Sequence, residues 1–191
     1  MQVEGFDDTC GDVPQLVVDN VFPDSRGYFG EAWNSSRVVS LANPVQLNHS
    51  YSAGGVIRGM HWQAIPHAIG KYVTCLSGVV QDVVVDLRRT SSTFRGWKSY
   101  RLNSPSFFGN RQRNSLWVPA GFAHGFLVLS ESAHVIYLQD GLYSEEASRC
   151  FHYADEAVGI KWETPLHGAL KASAKDEFAP GFHRLTPEDL F

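Results

Sequence analysis

Arg58, His61 and Lys71, three side chains able to hold charge or move a proton, fall within one stretch, 54–71, reading GGVIRGMHWQAIPHAIGK. A short strand between Gly55 and Pro66 accounts for most of this pattern, because Val56, Ile57, Met60 and Trp62 suit a pleated, half-buried surface. Arg58 and His61 do not suit a sealed interior, where a cation or imidazole without partners is costly. The mouth of a barrel resolves that conflict. A surface arginine beside a core-edge histidine is the plainer alternative.

At such a mouth His61 can serve as a base near neutral pH, provided a carboxylate holds its ring and tautomer. Asp176, in Ser173-Ala174-Lys175-Asp176, is the candidate orienter. Tyr137 can donate a proton, and Lys71 can stabilise negative charge developing on an oxygen. Each also has a structural reading: strand-edge aromatic for Tyr137, solvated strand start for Lys71, helix cap for Asp176. A metal site competes. His61-Trp62-Gln63 and the later PAGFAH (119–124) resemble the two ligand-bearing motifs of metal-binding cupins, a jelly-roll superfamily. His61, His67 and His124 would then form a three-histidine zinc or iron site. Gln63 stands where the first motif has its second histidine, and no glutamate follows at the motif's spacing. Those gaps argue for no metal.

The elements that must position these groups are short strands. Residues 15–22 read as the first, followed by a turn at Pro23-Asp24-Ser25 and a second strand running to Trp33. Residues 35–41 suit about two helical turns, and 45–51 another strand that turns at 52–55. Residues 72–76 and 79–87, joined at Ser77-Gly78, read as an antiparallel pair. In the second of these, Gln81, Val83, Val85 and Leu87 share one face, and Asp82, Val84, Asp86 and Arg88 the other. Residues 97–102, 116–118 and 134–139 add further strands, with an irregular polar link over 103–114. The tail from about Tyr143 is less regular. The pattern predicts an all-β barrel or jelly roll, with short helical or coil segments mainly near the C-terminus. Strict alternation sets Arg58 and His61 on opposite faces, and a bulge marked by Gly59 would reset the parity.

A length of 191 residues suits one domain, 1–191, and no internal repeat or linker interrupts it. The net charge of -4, with no basic block, argues against nucleic acid as a partner. Cys10, Cys75 and Cys150 have neither CxxC spacing nor an even count, so no disulfide framework or zinc knuckle is expected. The N-terminal MQVEGFDDTC lacks the basic-then-apolar layout of a signal peptide. No apolar run approaches the length of a membrane span. The expectation is a cytoplasmic protein with no membrane partner.

Taken in order, these segments resemble the dTDP-4-dehydrorhamnose 3,5-epimerase family, cupin-fold enzymes that epimerise nucleotide-linked 4-keto-6-deoxy sugars. The match runs through DSRG (24–27), QLNHS (46–50), IRGMHWQ (57–63), GKYV (70–73) and DVVVDLR (82–88). It continues through PAGFAHGF (119–126) and VIYLQDGLYS (135–144) to SAKD (173–176). The resemblance implies that His61 is the catalytic base, Asp176 its partner, Tyr137 the proton donor on the other face of the sugar, and Lys71 the neighbour of the keto oxygen. It implies that Arg26, Glu31, Gln46, Asn48, Arg58, His124 and Lys175 bind a dTDP-4-keto-6-deoxy sugar, with Tyr143 stacked on thymine. It also implies a homodimer that uses no metal or organic cofactor.

The chain departs from the family's pattern in three places. Gly30 replaces a bulky residue before Glu31, 64–69 lacks the glutamine that often precedes Gly70-Lys71, and Trp162-Glu163-Thr164-Pro165 replaces a Trp-Pro pair. None removes a catalytic group. They leave open the sugar, and whether C3, C5 or both are inverted. Two other classes stay open as well, a metal-dependent cupin enzyme and a non-catalytic cupin that binds sugar nucleotides. Binding alone does not require the whole His61, Lys71, Tyr137 and Asp176 set.

Overall fold

The computed structural model describes residues 1–41, 43–105 and 112–191. Its strands are β1 (Gln15–Asp24), β2 (Gly27–Gly30), β3 (Gln46–Ala53), β4 (Ile57–Gln63), β5 (Lys71–Ser77) and β6 (Val79–Asp86). They continue with β7 (Trp97–Asn103), β8 (Gln112–Val118), β9 (Phe122–Val128), β10 (Ser132–Gln139) and β11 (Ser148–Cys150). The α-helix α1 (Ala174–Glu177) is a single turn. Two antiparallel sheets result, ordered β2-β1-β8-β5-β10-β3 and β11-β4-β9-β6-β7. They curl against each other as the expected all-β jelly-roll barrel.

Side-chain alternation decides what each sheet buries. Val73 and Cys75 of β5, Leu116 and Val118 of β8, and Val135 of β10 meet Val80 and Val84 of β6 and Phe122, Phe126 and Val128 of β9. The other face of the five-stranded sheet is apolar too. Val83, Val85, Met60 and Trp62 pack under Phe151, Val158, Ile160 and Phe182 from the C-terminal tail. With both faces covered, every residue of β6 and β9 is buried. The two faces of β6 separate as the alternation predicts.

Four expectations need correction. Residues 72–76 and 79–87 do not pair with each other. β5 lies between β8 and β10, while β6 lies between β7 and β9 in the opposite sheet. Gly78, at φ +89, turns the chain from one sheet to the other. A tight turn fixes a reversal of direction, not the partner, and both edges of each strand are already occupied. Residues 35–41 form a turn and one 3-10 turn, Val39–Leu41, in place of two helical turns. Val38, Leu41 and Trp33 there pack on Tyr72 and Trp117 over the outside of the six-stranded sheet, so tertiary contact sets this shape. Residues 122–128, read only as a motif, are a full strand. The polar link after β7 is shorter than expected, because β8 begins at Gln112; residues 106–111 of it lie outside the described residues.

Candidate active site

One end of the barrel opens into a cleft of about 320 Å³ between the sheets. Strand direction gathers its lining. The start of β5 supplies Lys71, the end of β10 supplies Tyr137 and Gln139, and the start of β3 supplies Asn48. Along the inward face of β10 the sequence runs Ala133, Val135, Tyr137, Gln139, so polarity rises from the core to the mouth. β4 and β9 supply Arg58, His61 and His124 from the facing sheet.

Arg58 and His61 share the cleft because β4 bulges between them. Arg58 pairs with Phe126 and His61 with His124, so three steps along β4 match two along β9. Gly59, at φ +135, takes the extra residue where a Cβ would stand 2.5 Å from the Gly125 Cα. Only glycine fits such a conformation and approach without strain. Arg58 is aimed by Nε–H donation to Ser52 Oγ at 3.0 Å and by a bond from its terminal nitrogen to the Tyr51 carbonyl.

His61 Nε2 and Asp176 Oδ1 lie 2.5 Å apart, in direct hydrogen-bond contact. The His61 side chain is 35% exposed and faces the cleft, whereas Asp176 is 4% exposed behind it. α1 makes that geometry. Its cap is Ser173, whose hydroxyl accepts from the Asp176 amide, leaving the carboxylate free to reach His61. Asp176 is therefore not the helix cap. Burial opposes its ionisation, but bonds from His61, Ser173 and the Gly59 amide outweigh this and hold its carboxyl below the usual range. The carboxylate fixes the ring and would stabilise an imidazolium.

Two further cleft groups have shifted proton affinities. Desolvation brings the Lys71 ammonium down to about 8, with the charge of Asp82 pulling the other way. Burial pushes the Tyr137 phenol well above its ordinary range, eased by a hydrogen bond with Ser50 and by the charge of Arg58. Desolvation and carboxylate neighbours are the usual origins of such shifts, and they concentrate at functional sites. His124, facing Tyr137 edge-on at 6.3 Å, is bonded through Nε2 to both oxygens of Asp82.

The cleft thus brings together eight of the expected residues: Asn48, Arg58, His61, Lys71, His124, Tyr137, Lys175 and Asp176. Gln46 and Tyr143 border it. Gln46 donates to Asn48 and accepts from the Tyr143 amide, and Tyr143, 55% exposed, lines an adjoining hollow of about 140 Å³ that shares His61, Lys71 and Lys175. Arg26 and Glu31 are not at the cleft of their own chain. They ride on the hairpin at β2, the edge farthest from β3, where Arg26 pairs with Asp24, and Glu31 with Arg37. The three-histidine arrangement does not assemble either. His67 is exposed in the loop after β4, and Gln63 is spent on the His67 carbonyl and the Ser144 amide. Among the described residues, no cluster of His, Cys, Asp or Glu suits a metal ion.

Five lining residues, His49, Ser50, Phe126, Gln139 and Ser173, were not anticipated, nor was Asp82, buried behind His124. Gln139 accepts from the Asn48 amide at 3.0 Å, Ser50 touches Tyr137, and Asp82 holds His124. The signal for Gln139 was its parity with Tyr137 along one strand. For Asp82 it was an acid between Val80 and Val84 on one face of β6.

Comparison with known proteins agrees with this architecture. A sequence model for dTDP-4-dehydrorhamnose 3,5-epimerase matches residues 13–184. The chain is 40% identical over 176 residues to the dTDP-4-dehydrorhamnose 3,5-epimerase of Pseudomonas aeruginosa, covering 89% of this chain and 92% of that one. The Salmonella typhimurium enzyme of the same name is 38% identical over 174 residues, with 88% and 91% covered. Among solved structures, dTDP-6-deoxy-D-glucose-3,5-epimerase of Legionella pneumophila, in complex with dTDP-4-keto-L-rhamnose, superposes with a TM-score of 0.80. It is 35% identical and covers 92% of each chain. The rmlC epimerase of Mycobacterium tuberculosis gives a TM-score of 0.82 at 32% identity, covering 93% of this chain and 88% of that one. The chain belongs to the dTDP-4-dehydrorhamnose 3,5-epimerase family.

Proposed function

We propose that this chain epimerises a dTDP-4-keto-6-deoxyhexose at C3, C5 or both, through proton transfer next to the C4 ketone. The observation that carries the reading is the 2.5 Å contact between His61 and buried Asp176, in a cleft also lined by Lys71 and Tyr137. The ketone acidifies the hydrogens on its neighbouring carbons. His61 takes one, the C–H electron pair moves into an enolate, and Asp176 stabilises the imidazolium that forms. The Lys71 ammonium faces the oxygen where the negative charge collects. Tyr137 then returns a proton from the opposite face, so the carbon is inverted. A phenol held above its ordinary range keeps its proton until so basic a carbon is beside it. Arg58 suits the diphosphate, whose oxygens match a guanidinium fork, and Tyr143 suits the base in the adjoining hollow.

The same reading makes residues 1–191 one cytoplasmic domain working as a homodimer without metal or organic cofactor. Arg26 and Glu31 support the dimer. Both are expected to contact substrate, and their hairpin carries Phe22, Tyr28 and Phe29 exposed at 66%, 40% and 76%. A second copy would cover those rings and bring both side chains to a cleft.

The test is incubation with dTDP-4-keto-6-deoxyglucose in heavy water, with the sugar followed by NMR and mass spectrometry. Deuterium at C3 and C5 is the expected result for inversion at both carbons, and label at one carbon marks a mono-epimerase. Absence of label at either carbon, with folded protein, overturns the reading.

A further inference from the structure

Asp82 sits within β6 on the face that carries Val80 and Val84 into the core. It is fully buried, and a carboxylate there is costly unless something inside answers it. Its oxygens lie 2.9 and 2.8 Å from Nε2 of His124, itself only 4% exposed. A carboxylate accepts, so the hydrogen of this bond belongs to Nε2. Burial pushes the His124 pKa down, and Asp82, pulling upward, does not overcome it. The ring is therefore neutral with its one proton on Nε2. That leaves Nδ1 as an acceptor only. Among the described residues nothing donates to it, and His124 lines the cleft.

We propose that Asp82 is a positioning residue for this site: it fixes the Nε2–H tautomer of His124, so that Nδ1 accepts from a sugar hydroxyl. The hydroxyl rests on the epimerase reading; the tautomer does not. Lys71 shares the cleft with His124 on β9, His61 on β4, Tyr137 on β10 and Lys175 and Asp176 of α1, and the charge of Asp82 acts on it from β6. Of the two carboxylates, Asp176 is bonded to His61, and Asp82 is the one that raises the affinity of Lys71 for its proton. A lysine with a pKa of about 8 is cationic below that pH and neutral above it. Activity that needs the cation therefore falls as pH rises through 8. Loss of the Asp82 charge lowers the lysine pKa further and moves that fall to lower pH.

The test has two arms. In the free wild-type protein labelled with ¹⁵N-histidine, long-range ¹H–¹⁵N correlation at pH 7.5 should show His124 neutral and protonated on Nε2. A proton on Nδ1, or on both nitrogens, overturns the proposal without any variant. In the second arm, kcat/KM for deuterium incorporation is followed against pH for wild type and Asp82→Asn. The variant should retain dTDP binding, lose kcat roughly 10- to 100-fold, as when the partner of a functional histidine is removed, and show its alkaline limb about one pH unit lower. A limb that stays in place, with activity lost only as the folded fraction is lost, overturns the role for Asp82. If wild type itself incorporates no deuterium, the epimerase reading fails instead, and the tautomer alone judges Asp82.

Discussion

Inversion needs two proton-handling groups on opposite sides of one carbon, and the cleft offers two of unlike chemistry. His61 is partly exposed and backed by a carboxylate; Tyr137 is wrapped in the barrel wall, with its phenol pushed up by burial. The first suits taking a proton near neutrality, the second suits giving one only to a strong base. Removing the phenol oxygen should separate these acts. Tyr137→Phe is expected to keep exchanging substrate hydrogen with solvent from the His61 side while epimer formation falls roughly 100-fold or more, the usual scale of a lost general acid. NMR of the sugar in heavy water reads both at once. Wild-type yield of epimer in this variant would place the donor elsewhere. Sequence alone could name His61, Tyr137 and Lys71, because titratable groups stand out in apolar strands. It offered Asp176 only as a candidate orienter, which the family resemblance paired with His61, and gave no pairing of His124 with Asp82; those contacts span 115 and 42 positions and depend on how the sheets close.

Strand β4 shows how much a single backbone position carries. Without an extra residue opposite β9, either Arg58 or His61 would turn away from the cleft, because one step of register reverses every side chain. Gly59 supplies that residue at φ +135, with the Gly125 backbone in the way of any Cβ. Gly59→Ala should cost about 2–4 kcal/mol from the strained φ and the close contact together. Turnover per folded molecule should fall as well, as His61 shifts against Asp176. Gly11→Ala is the comparison, since Gly11 has φ +110 but open space around its Cα. That change should lower Tm modestly and leave turnover alone. Wild-type Tm and turnover for Gly59→Ala would mean the bulge does not position the site. The bulge was legible in the sequence as a parity conflict around a glycine. The separation of β5 from β6 was not, because Ser77-Gly78 is as good a corner between sheets as a hairpin turn, and only the full set of strand partners distinguishes them.

At the scale of the whole molecule, the unresolved tension is between where Arg26 and Glu31 stand and what is expected of them. Both lie at the β2 edge of the six-stranded sheet, and the cleft draws on β3 at its opposite edge. No rotation of a side chain spans that sheet, since neighbouring strands are each about 4.8 Å apart. The hairpin also leaves Phe22 and Phe29 mostly in solvent. The proposed homodimer resolves both facts if each chain's hairpin completes its partner's cleft, and a twofold interface would do so reciprocally. The consequence is complementation between two dead variants. Arg26→Ala should lose most kcat/KM through its diphosphate contact, and His61→Ala should lose turnover through its base. After co-refolding in equal amounts, about half the dimers are mixed, and one site in each mixed dimer holds both wild-type groups. About a quarter of all sites, and of wild-type activity, should return. If Arg26 served its own chain, or no site at all, every mixed dimer would still lack a group it needs or Arg26→Ala would not have been impaired to begin with. Activity of the mixture therefore reports which chain's arginine reaches which chain's histidine.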